Sequence, residues 1–441
     1  MSQKLINKWK DVLDHPGLNP IADNYKKQVT AILLENQELD AMQQARILNE
    51  SNLTIDGSGS MGTAATGGGF DPILIALVRR AMPQLMAYDV CGVQPMSMPT
   101  GLIFAMKSRY LTGANTLPST NQEALYVSPN IGSTGFIGDA LTNYSGASGV
   151  NHAGTDPFSS PYTTGTGMTT AVGEGLTPAE MGFTIEKVTV TAQTRALKSE
   201  YSIEMAQDLK AVHGLDAESE LSNILSAEIM FEINREIMRT IYSIAKTGAQ
   251  KGTTTAGYFD LDTDSDGRWS VERFKGLMFQ ADRDANFIAR DTRRGKGNFL
   301  VVSSDVASAL AMAGKLDYAP AMSTDLNVDE AQDTFCGVLN GKYRVYVDPY
   351  FASNSYDLMV VGYKGKSPYD AGMFFCPYVP LQQVRAVDPN TFQPKIGFKT
   401  RYGLVGNPYF STSANGGGAL DGKLDANANG YYRKIAVRNL M

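Results

Sequence analysis

The first candidate for a functional site is an acidic run, DTDSDG at residues 262–267. Its aspartates have the spacing of the first half of a calcium-binding loop. Such a loop needs a bidentate glutamate at its twelfth position, where this chain has Arg273, with Glu272 one place early. Asp and Gly in this order are also typical of a tight turn before a helix. We therefore predict a turn and no metal site, and a calcium-binding module stays open as an alternative.

The other reactive side chains show no catalytic pattern. The sequence has no Gly-x-Ser-x-Gly motif, and its Gly-rich runs lack the Gly-Lys-Ser/Thr ending of a phosphate loop. The odd number of cysteines argues against a disulfide framework and favours buried, reduced thiols. We predict no catalytic residue, no cofactor and no metal ligand, although a hydrolase whose groups converge only in the fold is not excluded. The histidines are His15, His152 and His213, and the cysteines are Cys91, Cys336 and Cys376.

Charge is distributed unevenly along the chain. No Lys or Arg occurs between Arg109 and Lys187, and this stretch is rich in Gly, Ser and Thr. We predict a long projecting loop over residues 110–186, which needs cations from a neighbouring copy because it has none of its own. The candidate acidic contacts are Glu123, Asp139, Asp156, Glu174 and Glu180. The candidate basic contacts are Arg268, Arg273, Arg293, Arg294 and Lys296, with Lys246 and Arg290 as further possibilities.

Several segments have clear periodicity. Residues 1–50 read as two helices with a thin core, followed by a flexible linker at 51–69 and a helix that begins at Pro72. Apolar residues every four positions predict a long helix over 216–246, and a second amphipathic helix is predicted over 269–291. The strands expected are 184–203, 298–302, 343–348, 358–363 and 372–379, with a helix at 304–313.

Length and composition narrow the class further. A chain of 441 residues predicts two or three domains. A net charge of -6 argues against sequence-specific nucleic-acid binding, which usually requires a basic surface. The sequence has no apolar run of membrane-spanning length and no signal-peptide core, so we expect folding in the cytoplasm and no membrane partner.

Three long stretches of the sequence are distinctive. The first, at residues 70–110, reads FDPILIALVRRAMPQLMAYDVCGVQPMSMPTGLIFAMKSRY. The second, at 268–298, reads RWSVERFKGLMFQADRDANFIARDTRRGKGN. The third lies within 343–409 and includes FFCPYVPLQQVRAVDPNTFQPKIGFKTRYGLVGNPY. Together they resemble the major capsid proteins of T-even-type myoviruses. The resemblance covers most of residues 51–441 and consists of long matches, which makes it specific.

The resemblance implies an α+β, Hong Kong 97-type phage capsid fold. It implies an N-terminal helical, scaffold-like propeptide (1–50), an N-arm (51–95), an extended loop with room for a small insertion (96–183), a peripheral domain with a long spine helix (184–295), an axial domain (296–410) and a C-terminal return to the peripheral domain (411–441). The implied function is a non-enzymatic shell subunit that self-assembles into hexameric capsomers of an icosahedral or prolate head. The closest alternative is the vertex subunit, a paralogue that forms pentamers.

The resemblance also implies processing and partners. Relatives are precursors from which a prohead protease removes the N-terminal segment, cutting after Leu/Ile-x-Glu. This sequence offers Leu48-Asn49-Glu50 before Ser51 and also Leu33-Leu34-Glu35, and we predict the cut after Glu50. The implied partners are further copies of the chain, a vertex pentamer protein, a portal, the protease and an internal scaffold, with room for decoration proteins and a host chaperonin. The shell would enclose DNA without reading its sequence.

Overall fold

The computed structural model describes residues 2–14, 21, 23–51, 82, 85–110, 158, 174, 181–265, 267, 269–313, 316–318, 335–351, 355–388, 393–408 and 426–440. The predicted linker beyond Ser51, the helix predicted from Pro72 and most of the predicted 110–186 loop lie outside these ranges. Within the described residues, no helix is both long enough and apolar enough to cross a membrane.

Helices and strands are mixed along the described chain, so the predicted α+β class is confirmed. The helices are α1 Ser2–Lys8, α2 Lys10–Leu13, α3 Asn24–Ser51, α4 Ala87–Val90, α5 Ile203–His213, α6 Ala217–Ile244, α7 Ser270–Thr292 and α8 Ser304–Met312. The strands are β1 Gly92–Val93, β2 Thr100–Tyr110, β3 Met181–Thr191, β4 Gln193–Glu200, β5 Ala245–Thr247, β6 Tyr258–Asp260, β7 Phe299–Ser303, β8 Leu316–Tyr318, β9 Phe335–Leu339, β10 Tyr343–Asp348, β11 Asp357–Gly362, β12 Met373–Val387, β13 Pro394–Gly406 and β14 Asn429–Arg438.

The strands form two sheets and a separate ribbon. The larger sheet has eight strands, in the order β5-β14-β11-β7-β10-β9-β8 with β6 also paired to β14. The smaller sheet has the order β1-β12-β13-β4, and β2 pairs only with β3. Strand β7 is buried at all five positions and runs parallel to β10, as expected for a strand covered on both faces. The strands predicted at 298–302 and 343–348 are therefore confirmed.

The long helix α6 organises the space between the two sheets. Its 28 residues correspond to about 42 Å of helix at about 1.5 Å per residue. One face packs against β4, β13 and β14, so the helix contacts both sheets. Its isoleucines every four residues are buried, which confirms the helix predicted at 216–246 up to Ile244, where the chain enters β5. The buried stripe is Leu225, Ile229, Ile233, Ile237 and Ile241.

A buried ion pair fixes helix α7 to strand β14. Arg433 Nη2 donates to Asp291 Oδ2 at 2.6 Å, and the guanidinium lies 5.1 Å from the centre of the Phe287 ring. Only 3% of Arg433 is exposed. Lys246 Nζ lies 3.7 Å from the same Asp291 oxygen. Because a buried charge is expensive without its partner, this pair makes the packing of α7 on the sheet specific.

The N-terminal helices are part of the main core. Leu13, Leu33 and Leu34 are buried in the same apolar cluster as Ile229 and Ile237 of α6. Helix α3 packs against α1 and against β12. It runs to Ser51, well beyond the apolar positions that predicted it. The two helices that would be marginal alone are therefore stabilised by burial against the rest of the chain.

We expect Asp291→Ala to lower the free energy of unfolding by about 3–5 kcal/mol, because it leaves the Arg433 charge buried without its closest partner. The control is Arg344→Ala, which breaks an exposed pair with Asp89 and should cost less than about 1 kcal/mol. Urea unfolding of the unassembled chain, followed by tryptophan fluorescence, measures both. Equal losses in the two variants would contradict this assignment.

Candidate functional site

The ribbon of β2 and β3 projects a surface whose two faces differ. The strands pair in antiparallel register from Thr100 with Thr191 to Tyr110 with Met181. Side chains of a strand alternate between faces, and directly paired residues share a face. The ribbon therefore has an inner face, which includes Val188, and an outer face, which includes Phe104.

The inner face of the ribbon packs on the body of the protein. Val188 and Val190 are fully or almost fully buried in a cluster with Phe374 and Val405 of the smaller sheet. Met96, which precedes β2 in the chain, belongs to the same cluster. These contacts hold the root of the ribbon against β12 and β13.

The outer face of the ribbon is exposed and largely apolar, with Lys187 and Thr189 among its polar residues. Phe104 is 63% exposed, Phe183 is 69% exposed and Ile185 is 71% exposed. Leu102 and Met106 complete the surface, and each is more than half exposed. Five large apolar side chains gathered on one face are unusual for a surface that meets only water, and they indicate an interaction site. We call these five residues the outer face.

Three of the predicted basic contacts lie on and near the turn after α7, whereas Arg273 lies in the first turn of that helix. Arg293 ends α7 in a left-handed conformation with φ of 54°, and its side chain is exposed. Arg294 Nη1 lies 3.3 Å from Asp370 Oδ1, and Lys296 Nζ lies 2.5 Å from Asp282 Oδ1. Arg294 and Lys296 are thus already engaged within the chain, whereas no ion pair of Arg293 occurs among the described residues.

The electrostatic environment of Lys296 is well defined. Burial raises the pKa of Asp282, but hydrogen bonds from Lys296 and Tyr343 outweigh burial and hold that pKa below its usual value. The carboxylate is therefore charged at neutral pH and holds the Lys296 ammonium in place. Two further candidates also have internal contacts: Lys246 with Asp291, and Arg290, whose guanidinium lies 5.3 Å from the Phe287 ring centre.

Most of the predicted acidic contacts lie outside the described residues. This applies to Glu123, Asp139, Asp156 and Glu180, and to the basic candidate Arg268. Glu174 is described and is exposed. The pairing of the acidic stretch with basic residues stays a prediction.

The acidic run at 262–267 forms a self-contained turn over its described part. Asp264 accepts hydrogen bonds from the Thr254 backbone and hydroxyl at 2.7 and 2.8 Å. Burial raises the pKa of Asp264, but these bonds and one from the Asp260 backbone hold it below its usual value. Asp262 forms an ion pair with Arg273. Among the residues that are described, which exclude Asp266, no group of three metal-ligating side chains could hold an ion.

The two candidate cleavage sequences lie at different points of α3. Glu50 and Ser51 are the last residues of α3. Leu33 and Leu34 are buried in the middle of the same helix, and Glu35 accepts hydrogen bonds from Lys8 and Trp9. A protease that binds an extended chain reaches a fraying helix end more readily than a packed helix centre.

The outer face was not predicted from the sequence. Its signal is the alternation in TGLIFAMK, where apolar residues at 102, 104 and 106 match one strand face. The intervening residues, Ile103 and Ala105, are apolar as well. The sequence is therefore equally typical of a strand that is buried on both faces. Only the register of β2 with β3 separates the buried side from the exposed side.

An α+β chain with a packed core, a long central helix and a projecting apolar ribbon has the form of a structural subunit. The chain matches the family model described as Major capsid protein Gp23 over residues 68–437, and it belongs to that family. The predicted resemblance is confirmed. The chain is therefore a component of the virion capsid, with the function of a major capsid protein of T4-like phages.

Relatives match along the whole chain. The major capsid protein of Salmonella phage ViI is 38% identical, covering 100% of this chain and 99% of the relative. That of Enterobacteria phage T4 is 36% identical, covering 99% of each. The T4 capsid vertex protein is 29% identical and covers 52% of this chain and 54% of its own. The vertex alternative is accordingly not favoured.

The capsid of Myoviridae phage XM1 aligns with a TM-score of 0.38 at 10% identity, covering 80% of this chain and 92% of that chain.

We expect Phe104→Ser to change the free energy of unfolding of the unassembled chain by less than about 0.5 kcal/mol, because the side chain is exposed. Val188→Ser, on the inner face, should lower it by about 2–4 kcal/mol through lost packing and a buried hydroxyl. Thermal unfolding of the two variants compares them directly. A large loss in Phe104→Ser would mean that the outer face is covered within a single chain.

Proposed function

We propose that the capsid assembles by docking the outer face of one copy's ribbon onto the neighbouring copy, in head-to-tail hexameric capsomers. The observation that carries this proposal is the exposure of Leu102, Phe104, Met106, Phe183 and Ile185 on one face of a ribbon whose other face is buried. A head-to-tail contact joins two different surfaces, and it closes into a ring of six when each copy is rotated by one sixth of a turn from the last. Burial of the outer face supplies affinity without requiring any change in the core of either copy.

We propose that charge sets the direction of this docking. The stretch that continues from the ribbon has no cations between Arg109 and Lys187, so it complements a basic surface on the next copy. Arg293 is the best supported partner, because it is exposed while Arg273, Arg294 and Lys296 have internal acidic partners. Exposed charge pairs contribute mainly to specificity and association rate, and the apolar face contributes most of the affinity.

We propose a Hong Kong 97-type division of the chain at the predicted boundaries. The ribbon then forms the root of the extended loop, α6 is the spine helix of the peripheral domain, and much of the larger sheet belongs to the axial domain. Return of the chain after residue 411 is supported by β14, which pairs with β5 directly after α6. In this layout the peripheral and axial regions share one continuous sheet through the pairing of β11 with β14.

We infer a structural and not an enzymatic role, supported by membership of a capsid family. The proposed partners are further copies of the chain, a vertex pentamer protein, a portal, an internal scaffold and a prohead protease. Decoration proteins and a host chaperonin are further proposed partners. The net charge of -6 disfavours adhesion to the enclosed DNA, because both are negative.

We propose that the prohead protease cuts after Glu50 and removes residues 1–50. Support comes from the position of Glu50 and Ser51 at the end of α3, next to the Gly-rich sequence. The segment carries six basic and seven acidic residues, so its removal changes the net charge from -6 to -5. Its effect on the shell is therefore steric and conformational.

We expect Phe104→Asp to weaken assembly by about 100-fold or more, because docking would bury a charged carboxylate together with Lys187, the residue paired with it across the ribbon. The matched control is Phe279→Asp on α7, an exposed phenylalanine that contacts Arg283 of its own chain. Sedimentation velocity and electron microscopy of the purified variants distinguish capsomers and shells from single chains. Assembly of Phe104→Asp at the level of the control would overturn the docking proposal.

We expect Glu50→Gln to abolish processing in the presence of the protease, whereas Glu35→Gln should be cut normally because its site is packed inside α3. Mass spectrometry of the chain from mature particles should identify Ser51 as the new N-terminus. A different N-terminus, or normal processing of Glu50→Gln, would show that the site lies elsewhere.

A further inference from the structure

The N-terminal segment makes specific contacts with the strand edge that leads into the ribbon. The Tyr25 hydroxyl donates to the Val93 carbonyl in β1, and the Gln382 amide in β12 donates to Asp40. Between these two points lies Asn36, of which only 8% is exposed. Helix α3 is thus attached at three places along the β1–β12 edge, in addition to its apolar packing.

Asn36 bridges two parts of the chain with one amide group. Its Nδ2 atom donates to the Met96 carbonyl at 2.7 Å and to the Tyr378 carbonyl at 2.9 Å. The register of β12 with β13 is interrupted between Pro377 and Val379, so the Tyr378 carbonyl is at an irregular point of the ladder. Both protons of the amide are therefore used on backbone acceptors, one buried and one partly buried, which are costly to leave unpaired.

Met96 connects these hydrogen bonds to the ribbon. Its backbone N–H donates to the Pro377 carbonyl at 2.9 Å, so the residue is held from both sides. Its side chain is buried with Val188 and Val190 of the inner face. A β carbon on Gly101 would lie only 3.1 Å from Met96 Sδ, which shows how closely the side chain approaches β2. Asn36 thereby fixes a residue that packs on both strands of the ribbon.

We propose that the N-terminal segment is an intramolecular clamp on the root of the ribbon, acting through Asn36 and Met96. While the segment is in place, the root of the ribbon is held in one position on the smaller sheet. Cutting after Glu50 converts this contact within one chain into a contact that can dissociate. Loss of the segment then frees Met96 and lets the ribbon change its position on the body. This inference rests on the proposed cleavage and on the proposed docking of the ribbon.

Hydrogen–deuterium exchange of the full-length, uncut and unassembled chain tests the clamp. Asn36→Ala should raise amide exchange in peptides that cover residues 96–106 and 183–191 by about tenfold, while peptides of α6 stay as protected as in the wild type. The matched control is Asn7→Ala, the same change at an exposed position of α1. It should leave the ribbon unchanged.

Tyr25→Phe is a second, milder variant that removes only the hydroxyl on Val93. It should raise amide exchange at the root of the ribbon by less than Asn36→Ala does. If Asn36→Ala also raises exchange in α6, the Tyr25→Phe result is the one that tests the clamp. Ribbon exchange equal to the wild type in a folded variant would overturn the clamp. Because no protease and no assembly are involved, this outcome is independent of whether Glu50 is the cut site and of whether the ribbon docks on a neighbour.

Discussion

The structure depends on the unequal covering of its two-stranded ribbon, which has one face packed on the body of its own chain and the other face exposed. In this protein the inner face is satisfied by the smaller sheet, with Val188 and Val190 buried against Phe374 and Val405. The outer face carries five large apolar side chains, each more than half exposed. Removing these side chains from water favours association, which is the task of a shell subunit.

The rest of the fold makes that association possible without rearranging the core. Helix α6 joins the two sheets along its length, and the buried pair of Arg433 with Asp291 fixes α7 on β14. The N-terminal helices belong to the main core and also contact Met96 at the root of the ribbon. If the proposed cleavage and docking both occur, they involve the same part of the molecule.

Sequence periodicity predicted the regular elements well. The four-residue repeat of isoleucines identified α6, and the compact apolar runs identified β7 and β10, because such patterns arise directly from burial. The outer face was missed because the side chains on both faces of β2 are apolar. The sequence alone does not say which of the two faces packs on the body of the protein. The internal partners of Arg294 and Lys296 were missed as well. Asp370 is far from Arg294 in the sequence, and the end of α7 lies between Asp282 and Lys296. The role of Asn36 has no sequence signal, because its acceptors are backbone atoms of Met96 and Tyr378, one of them 342 residues away.

The central claim is that the outer face is covered by a neighbouring copy in the assembled shell. Hydroxyl-radical footprinting of Phe104 and Met106, compared between unassembled chains and intact shells, measures this directly. Both side chains are expected to react readily in the single chain and to become strongly protected in the shell, while Phe279 on α7 changes little. Equal labelling of Phe104 and Met106 in the two states would contradict it.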